Sequence, residues 1–214
     1  MGVGTFSEVL FQRLPIVGVV RHLPAADWPA LLEAYQRSGL TTIEVTLNTS
    51  GALDMIRWAA DRFGDSLNIG AGTVCTLEEL HLAAEAGAGF IVTPVLTRDV
   101  IVAAKRLGLP VFPGAFTPTE IREAWVLGAS RVKVFPAAQL GPAYIKAVKA
   151  PFPDIRLMPT GGIGSGDVAA YRRAGADALG IGSPLFPDDL MSRGDWGALQ
   201  QHFERFVNNW NTAL

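Results

Sequence analysis

Along the chain, short apolar runs rich in β-branched residues alternate with longer stretches in which apolar positions recur every three or four residues. The first pattern suits strands, and the second suits helices that bury one face. Strands are expected at residues 15–20, 42–46, 68–72, 90–93, 110–113, 131–135, 156–159 and 178–182. Their starts lie about 20 to 27 residues apart, the length required by one strand, a three-turn helix and two short loops. Thr76 with Glu79, and Thr117 with Glu120, have the spacing of capping boxes, and Pro118 fits the first position of a helix. Helix exits recur as Gly39-Leu40, Gly87-Ala88, Gly108-Leu109, Gly128-Ala129 and Gly175-Ala176, where glycine can end a helix in the left-handed conformation. Residues 195–211 read as a further helix with Trp196, Leu199, Phe203, Phe206 and Trp210 on one stripe.

Eight alternations with strands too apolar to face water imply a parallel sheet covered by helices. A single (β/α)8 TIM barrel with an extra C-terminal helix is the expected fold. An open doubly wound sheet would place a glycine-rich fingerprint after the first strand, and Arg21-His22-Leu23-Pro24 stands there instead. No linker or compositional break divides the chain, so residues 1–214 are expected to form one domain. Lys plus Arg number 18 against 20 Asp plus Glu, a net charge of -2, which argues against a nucleic-acid partner. No apolar run is long enough to cross a bilayer, and Glu8 precedes the first arginine, unlike the basic start of a secretory signal. A cytoplasmic protein without a membrane partner is expected. Cys75 is the only cysteine, which excludes an intrachain disulfide, and it is read as a small core residue. His22, His81 and His202 lack metal-ligand spacing, and His81 and His202 are read as surface residues, so a metal-free mechanism without cofactor is expected.

Two residues do not fit a barrel core. Lys133 falls mid-strand, sharing a face with Phe135 opposite Val132 and Val134, whereas Lys105, Lys146 and Lys149 fall in helical stretches. An ammonium there loses hydration, so it either reaches a rim, pairs with a carboxylate, or serves as an amine of depressed pKa. At the ordinary pKa of about 10.4 only about one lysine in 2500 is neutral at pH 7; a depression to about 7 to 8 raises that to roughly a tenth or a half. Glu44, flanked by Ile43 and Val45, poses the same problem. A glutamate and a lysine in one cavity suit Schiff-base chemistry, whose steps each move a proton; a purely structural ion pair is the alternative. Gly161 and Gly162 after the seventh strand, and Gly180-Ile181-Gly182-Ser183 closing the eighth, stand where barrels commonly bind phosphate. Gly70-Ala71-Gly72-Thr73 and Thr93-Pro94 bring small residues and hydroxyls to the same end.

Six segments in order, TTIEVTL from Thr41, GAGTV from Gly70, VTP from Val92, PGAFTPTE from Pro113, VKVFP from Val132 and PTGGI from Pro159, resemble the motifs of the class I 2-keto-3-deoxy-6-phosphogluconate and 6-phosphogalactonate aldolases. The resemblance implies that Lys133 forms the Schiff base and that Glu44 shuttles protons through a water. It implies that Thr73 and Pro94 line the pyruvate end, that Phe135 packs against the imine and that Thr160 reaches the substrate chain. Gly161, Gly162 and Ser183 would receive the phosphate of a phosphorylated keto acid, and the subunits would form a homotrimer. Many phosphogluconate enzymes carry an arginine where Asn48 stands here, and Arg21 is expected to supply that charge to the substrate carboxylate. Leu47-Asn48 and the stretch from Gly141 to Lys149 lean towards the phosphogalactonate branch, while Thr117-Pro118-Thr119-Glu120 and Met158-Pro159-Thr160 lean towards the phosphogluconate branch. A 4-hydroxy-2-oxoglutarate aldolase, and a phosphosugar isomerase or epimerase on the same barrel, are the alternatives.

Overall fold

The computed structural model describes residues 4–213. Strands form at β1 (Ile16–Val20), β2 (Thr42–Thr46), β3 (Asn68–Gly72), β4 (Phe90–Val92), β5 (Val111–Phe112), β6 (Gly114–Ala115), β7 (Val132–Val134), β8 (Leu157–Pro159) and β9 (Leu179–Ile181). The helices are α1 (Glu8–Arg13), α2 (Trp28–Arg37), α3 (Ala52–Phe63), α4 (Leu77–Glu85), α5 (Arg98–Arg106), α6 (Pro118–Leu127), α7 (Gly141–Lys149), α8 (Val168–Arg173), α9 (Asp188–Arg193) and α10 (Trp196–Asn211). Both capping boxes form, on α4 and α6. The five exit glycines all take positive φ, from 74° at Gly108 to 106° at Gly128.

Six strands pair in the order β5-β4-β3-β2-β1-β9 and three in the order β6-β7-β8, every pair parallel. The result is a curled parallel sheet wrapped by helices. The expected fifth strand is divided. Pro113 has no N–H to give to a ladder, so β5 ends its pairing with β4 there and the chain resumes as β6 beside β7. Pro113 still accepts from the Lys133 amide at 2.9 Å. At the other seam Thr160 and Gly180 form a parallel bridge, and the Asp177 amide donates to Leu157.

Side chains alternate across the strands as the period of two requires. Ile16, Ile43, Val45, Ile91, Val111, Val132, Val134, Leu157 and Ile181 join the core shared with the helices. Val17, Phe90, Val92, Phe112, Met158 and Ala178 form a separate cluster on the opposite, inner face, together with Phe11 from α1. Helices α1 and α9 have no counterpart in the sequence expectations. Ser7 caps α1 by accepting from the Leu10 amide, and Asn68 brackets the Ser7 backbone from β3. Buried Arg131 lies 4.0 Å from the Phe11 ring centroid and pairs with Glu8, so the N-terminal end of the inner face is closed by aromatic rings and one compensated charge. Ligand access is left to the C-terminal ends of the strands.

Helix α10 forms over the expected residues, capped by the Asp195 carboxylate on the Ala198 amide. Leu199, Phe203, Phe206 and Trp210 are buried, whereas Trp196 is only partly so.

Candidate active site

Register places the two anomalous side chains. On β2, Glu44 lies between Val19 and Gly70; on β7, Lys133 lies between Gly114 and Met158. Both point to the inner face, and they are 1% and 6% exposed. Neither Glu44 oxygen has a hydrogen-bond partner among the described residues, and no direct Glu44–Lys133 ion pair occurs among them. The purely structural ion pair is therefore not formed. Space for the carboxyl comes from Gly72, where a Cβ would stand 2.5 Å from Glu44 Oε1.

Burial pushes the Glu44 carboxyl up to about 7, against the opposing pull of the Lys133 and Arg21 charges. Burial also lowers the Lys133 ammonium; Glu44 opposes that shift and Arg21 adds to it. Desolvation thus makes each group easier to neutralise, the condition for an amine that must attack and a carboxyl that must exchange protons near neutral pH.

Above this pair opens a cleft of about 320 Å³. Nine residues singled out from sequence line it: Arg21, Thr73, Pro94, Lys133, Phe135, Thr160, Gly161, Gly162 and Ser183, with Glu44 buried beneath. Gly182, from the glycine segment expected at the phosphate end, also lines it, as do Val19 and Pro184, which were not singled out. The period of two that puts Val17 on the inner face does the same for Val19, so that signal was present in the sequence.

The walls differ in chemistry. Phe135 is 39% exposed, its ring centroid 5.0 Å from Lys133 Nζ. Thr73 takes φ 59°, a left-handed conformation that costs a β-branched residue about 1 to 3 kcal/mol and is found most often at functional sites. The Thr160 hydroxyl donates to Met158 at 3.1 Å, and Gly180 leaves it room, since a Cβ there would lie 2.3 Å from the hydroxyl oxygen. Gly161 and Gly162 take φ 97° and 73°; a Cβ at Gly162 would lie 2.7 Å from that of Ala138. Their amides can therefore approach a ligand where a side-chain-bearing residue would be strained. Arg21 is exposed and has no ion-pair partner among the described residues. Its segment is held by buried hydroxyls: Thr46 donates to the Val20 carbonyl, and Thr49 accepts from the amide of His22, itself at φ 55°.

Two expectations are corrected. Cys75 is exposed: the left-handed turn at Thr73 carries the chain off the strand, and the Cys75 amide is taken up by Glu79 at 2.6 Å in the cap of α4, leaving the thiol outside the core. His202 is half-buried, with Nε2 2.8 Å from the Pro184 carbonyl; the docking of α10 turns it towards the cleft's outer wall. His81 is exposed as expected.

The sequence matches the family described as KDPG and KHG aldolase over residues 8–202. It is 35% identical over 201 residues to the 2-dehydro-3-deoxy-phosphogluconate aldolase of Pseudomonas aeruginosa, covering 92% of this chain and 90% of that one. It is also 35% identical over 175 residues to the 2-dehydro-3-deoxy-6-phosphogalactonate aldolase of Escherichia coli K12, covering 81% and 85%. Among solved structures it resembles KDPG aldolase from Legionella pneumophila with pyruvate captured at low pH as a covalent carbinolamine intermediate, with TM-score 0.82, 30% identity, and coverage of 91% and 95%.

Proposed function

The chain belongs to the KDPG and KHG aldolase family, and from that premise we propose that it cleaves a 2-keto-3-deoxy-6-phospho sugar acid to pyruvate and glyceraldehyde 3-phosphate. It is a class I, metal-independent aldehyde-lyase that works through a Schiff base. Membership sets aside the isomerase and epimerase alternatives. The observation that carries the residue assignment is the placement of unpaired Lys133 and Glu44 under one cleft, both buried and without a direct ion pair.

In the proposed mechanism, the neutral Lys133 amine adds to the C2 carbonyl and the carbinolamine loses water to give an iminium ion. The C3–C4 bond then breaks. Its electron pair moves into the iminium to form an enamine, the C4 hydroxyl proton leaves to base, and glyceraldehyde 3-phosphate departs. Protonation at C3 and hydrolysis release pyruvate and free Lys133. Glu44 serves each proton transfer through a water, consistent with its lack of a direct bond to the amine. Arg21 would hold the C1 carboxylate, Thr73 and Pro94 would shape the pyruvate end, Phe135 would pack on the imine and Thr160 would meet the substrate chain. The amides at Gly161, Gly162 and Ser183 would receive the phosphate.

We read the two sheets as one closed (β/α)8 barrel interrupted only at Pro113 and completed at the Thr160–Gly180 bridge, forming a single domain with α10 outside. A homotrimer in the cytoplasm is part of the same proposal; among the described residues, no helix is long and apolar enough to cross a membrane. The test couples pyruvate release to lactate dehydrogenase with the phosphogluconate and phosphogalactonate substrates in parallel. Pyruvate and glyceraldehyde 3-phosphate in equal amounts from at least one epimer are expected, and release from neither would refute the proposal.

A further inference from the structure

Helix α10 has no part in the chemistry above, yet two of its polar side chains reach the loops assigned to the phosphate. His202 Nε2 lies 2.8 Å from the Pro184 carbonyl oxygen. That oxygen only accepts, so Nε2 carries the proton and donates. Seven residues on, Asn209 Nδ2 donates to the Ser165 carbonyl, also at 2.8 Å. Pro184 directly follows Ser183 after β9, and Ser165 opens the turn that follows Gly161 and Gly162 after β8. Seven helical residues are two turns, about 10 Å of rise, so both donors project from one side of α10 and each reaches a different loop.

The helix that carries them is firmly seated. Phe203 packs against Tyr35 and Phe186 with ring centroids 5.4 and 5.6 Å apart, and the Arg172 guanidinium of α8 lies 4.7 Å from the Trp210 ring centroid. The loops need such support. Glycines give the amides access to an anion but lose more conformational freedom on ordering than any other residue. Without an external hold, that ordering would be charged against ligand binding.

We propose that His202 and Asn209 are positioning residues for the phosphate end: α10 fixes the two loops relative to one another, so that the amides around Gly161, Gly162 and Ser183 stand ready for the dianion. This rests on the phosphate placement proposed above. Neither residue touches substrate, and their effect falls on recognition of the phosphate rather than on the imine.

The experiment compares steady-state kinetics of the full-length enzyme on the phosphorylated substrate and on its unphosphorylated counterpart. For His202→Leu and for Asn209→Leu we expect kcat/KM on the phosphorylated substrate to fall about 10-fold, chiefly through KM, the scale of one lost hydrogen bond. Activity on the unphosphorylated substrate should stay within about twofold, borohydride trapping of pyruvate should be unchanged, and His202→Gln, which keeps an N–H donor, should recover most of the loss. Asn209→Leu, near the end of α10, carries the same test where His202→Leu folds poorly. An equal fall on both substrates, or no fall, overturns the inference. Ser183→Asp, which sets a carboxylate against the phosphate, separates the two claims. If it abolishes the preference for phosphorylated substrate while the α10 variants leave that preference undiminished, positioning by α10 fails and the phosphate placement stands. If Ser183→Asp also retains the preference, both fail.

Discussion

Replacing Glu44 by glutamine should make the protein more stable and far less active. The carboxyl is buried, neither oxygen is hydrogen-bonded among the described residues, and its pKa rises from 4.5 to about 7 on folding. Below pH 4.5 the group is protonated in both states and costs folding nothing. Between pH 4.5 and 7 the unfolded chain loses this proton while the folded one retains it, so stability falls as pH rises; above 7 the penalty is complete. A shift of that size corresponds to about 3 kcal/mol at pH 8 and about 1 kcal/mol at pH 5. Glutamine removes the titration but leaves a buried amide. The expected result is therefore an advantage of Glu44→Gln over wild type that is about 2 kcal/mol larger at pH 8 than at pH 5, equivalent to about 4 to 8 °C in Tm for a chain of this size. Urea unfolding of both proteins at the two pH values measures it, and the difference between them cancels the titrating groups that do not interact with Glu44; Lys133, whose ammonium the Glu44 charge favours, is followed in parallel with Lys133→Met in both backgrounds. Over the same range kcat should drop by roughly 10² to 10⁴. An advantage independent of pH, or a variant less stable at pH 8, would refute the argument that desolvation of Glu44 is retained for catalysis.

Other perturbations test neighbouring parts of the site. Gly72→Ala sets a Cβ 2.5 Å from Glu44 Oε1 and 2.7 Å from its Cδ; displacing the carboxyl by about 1 Å should lower kcat about 10²-fold with the thermal melt little changed, and wild-type turnover would contradict the placement of Glu44. Arg21→Ala should raise the pyruvate concentration needed for half-maximal imine trapping about 10- to 100-fold, the scale of a charge-assisted hydrogen bond; unchanged half-saturation would move the carboxylate site elsewhere.

The sequence made the strands and the reactive face readable because a charge in a period-two apolar run has few places to go. Lys133 and Glu44 stood out for that reason, and the glycine pairs marked where backbone must lie open. What escaped depends on contacts distant along the chain. Helix α1 is six residues long and is held by Phe11 between the rings of Phe6 and of Phe112 in β5 and by Glu8 on Arg131, 123 residues away. No local periodicity announces such a helix. Cys75 was misread because its exposure follows from the backbone turn at Thr73, and His202 because its partner is fixed only when α10 docks. The break at Pro113 was visible as a proline, but its consequence, a strand that changes partners midway, emerged only from the pairing of its neighbours.

The central claim is that the Lys133 amine bonds covalently to a keto acid. Borohydride reduction in the presence of pyruvate, followed by peptide mass spectrometry, tests it most directly. A carboxyethyl group fixed to Lys133, absent without pyruvate and absent in an inactive Lys133→Ala variant, is the predicted result. Adduct formation on another lysine, or an unmodified Lys133 peptide from active enzyme, would contradict the account.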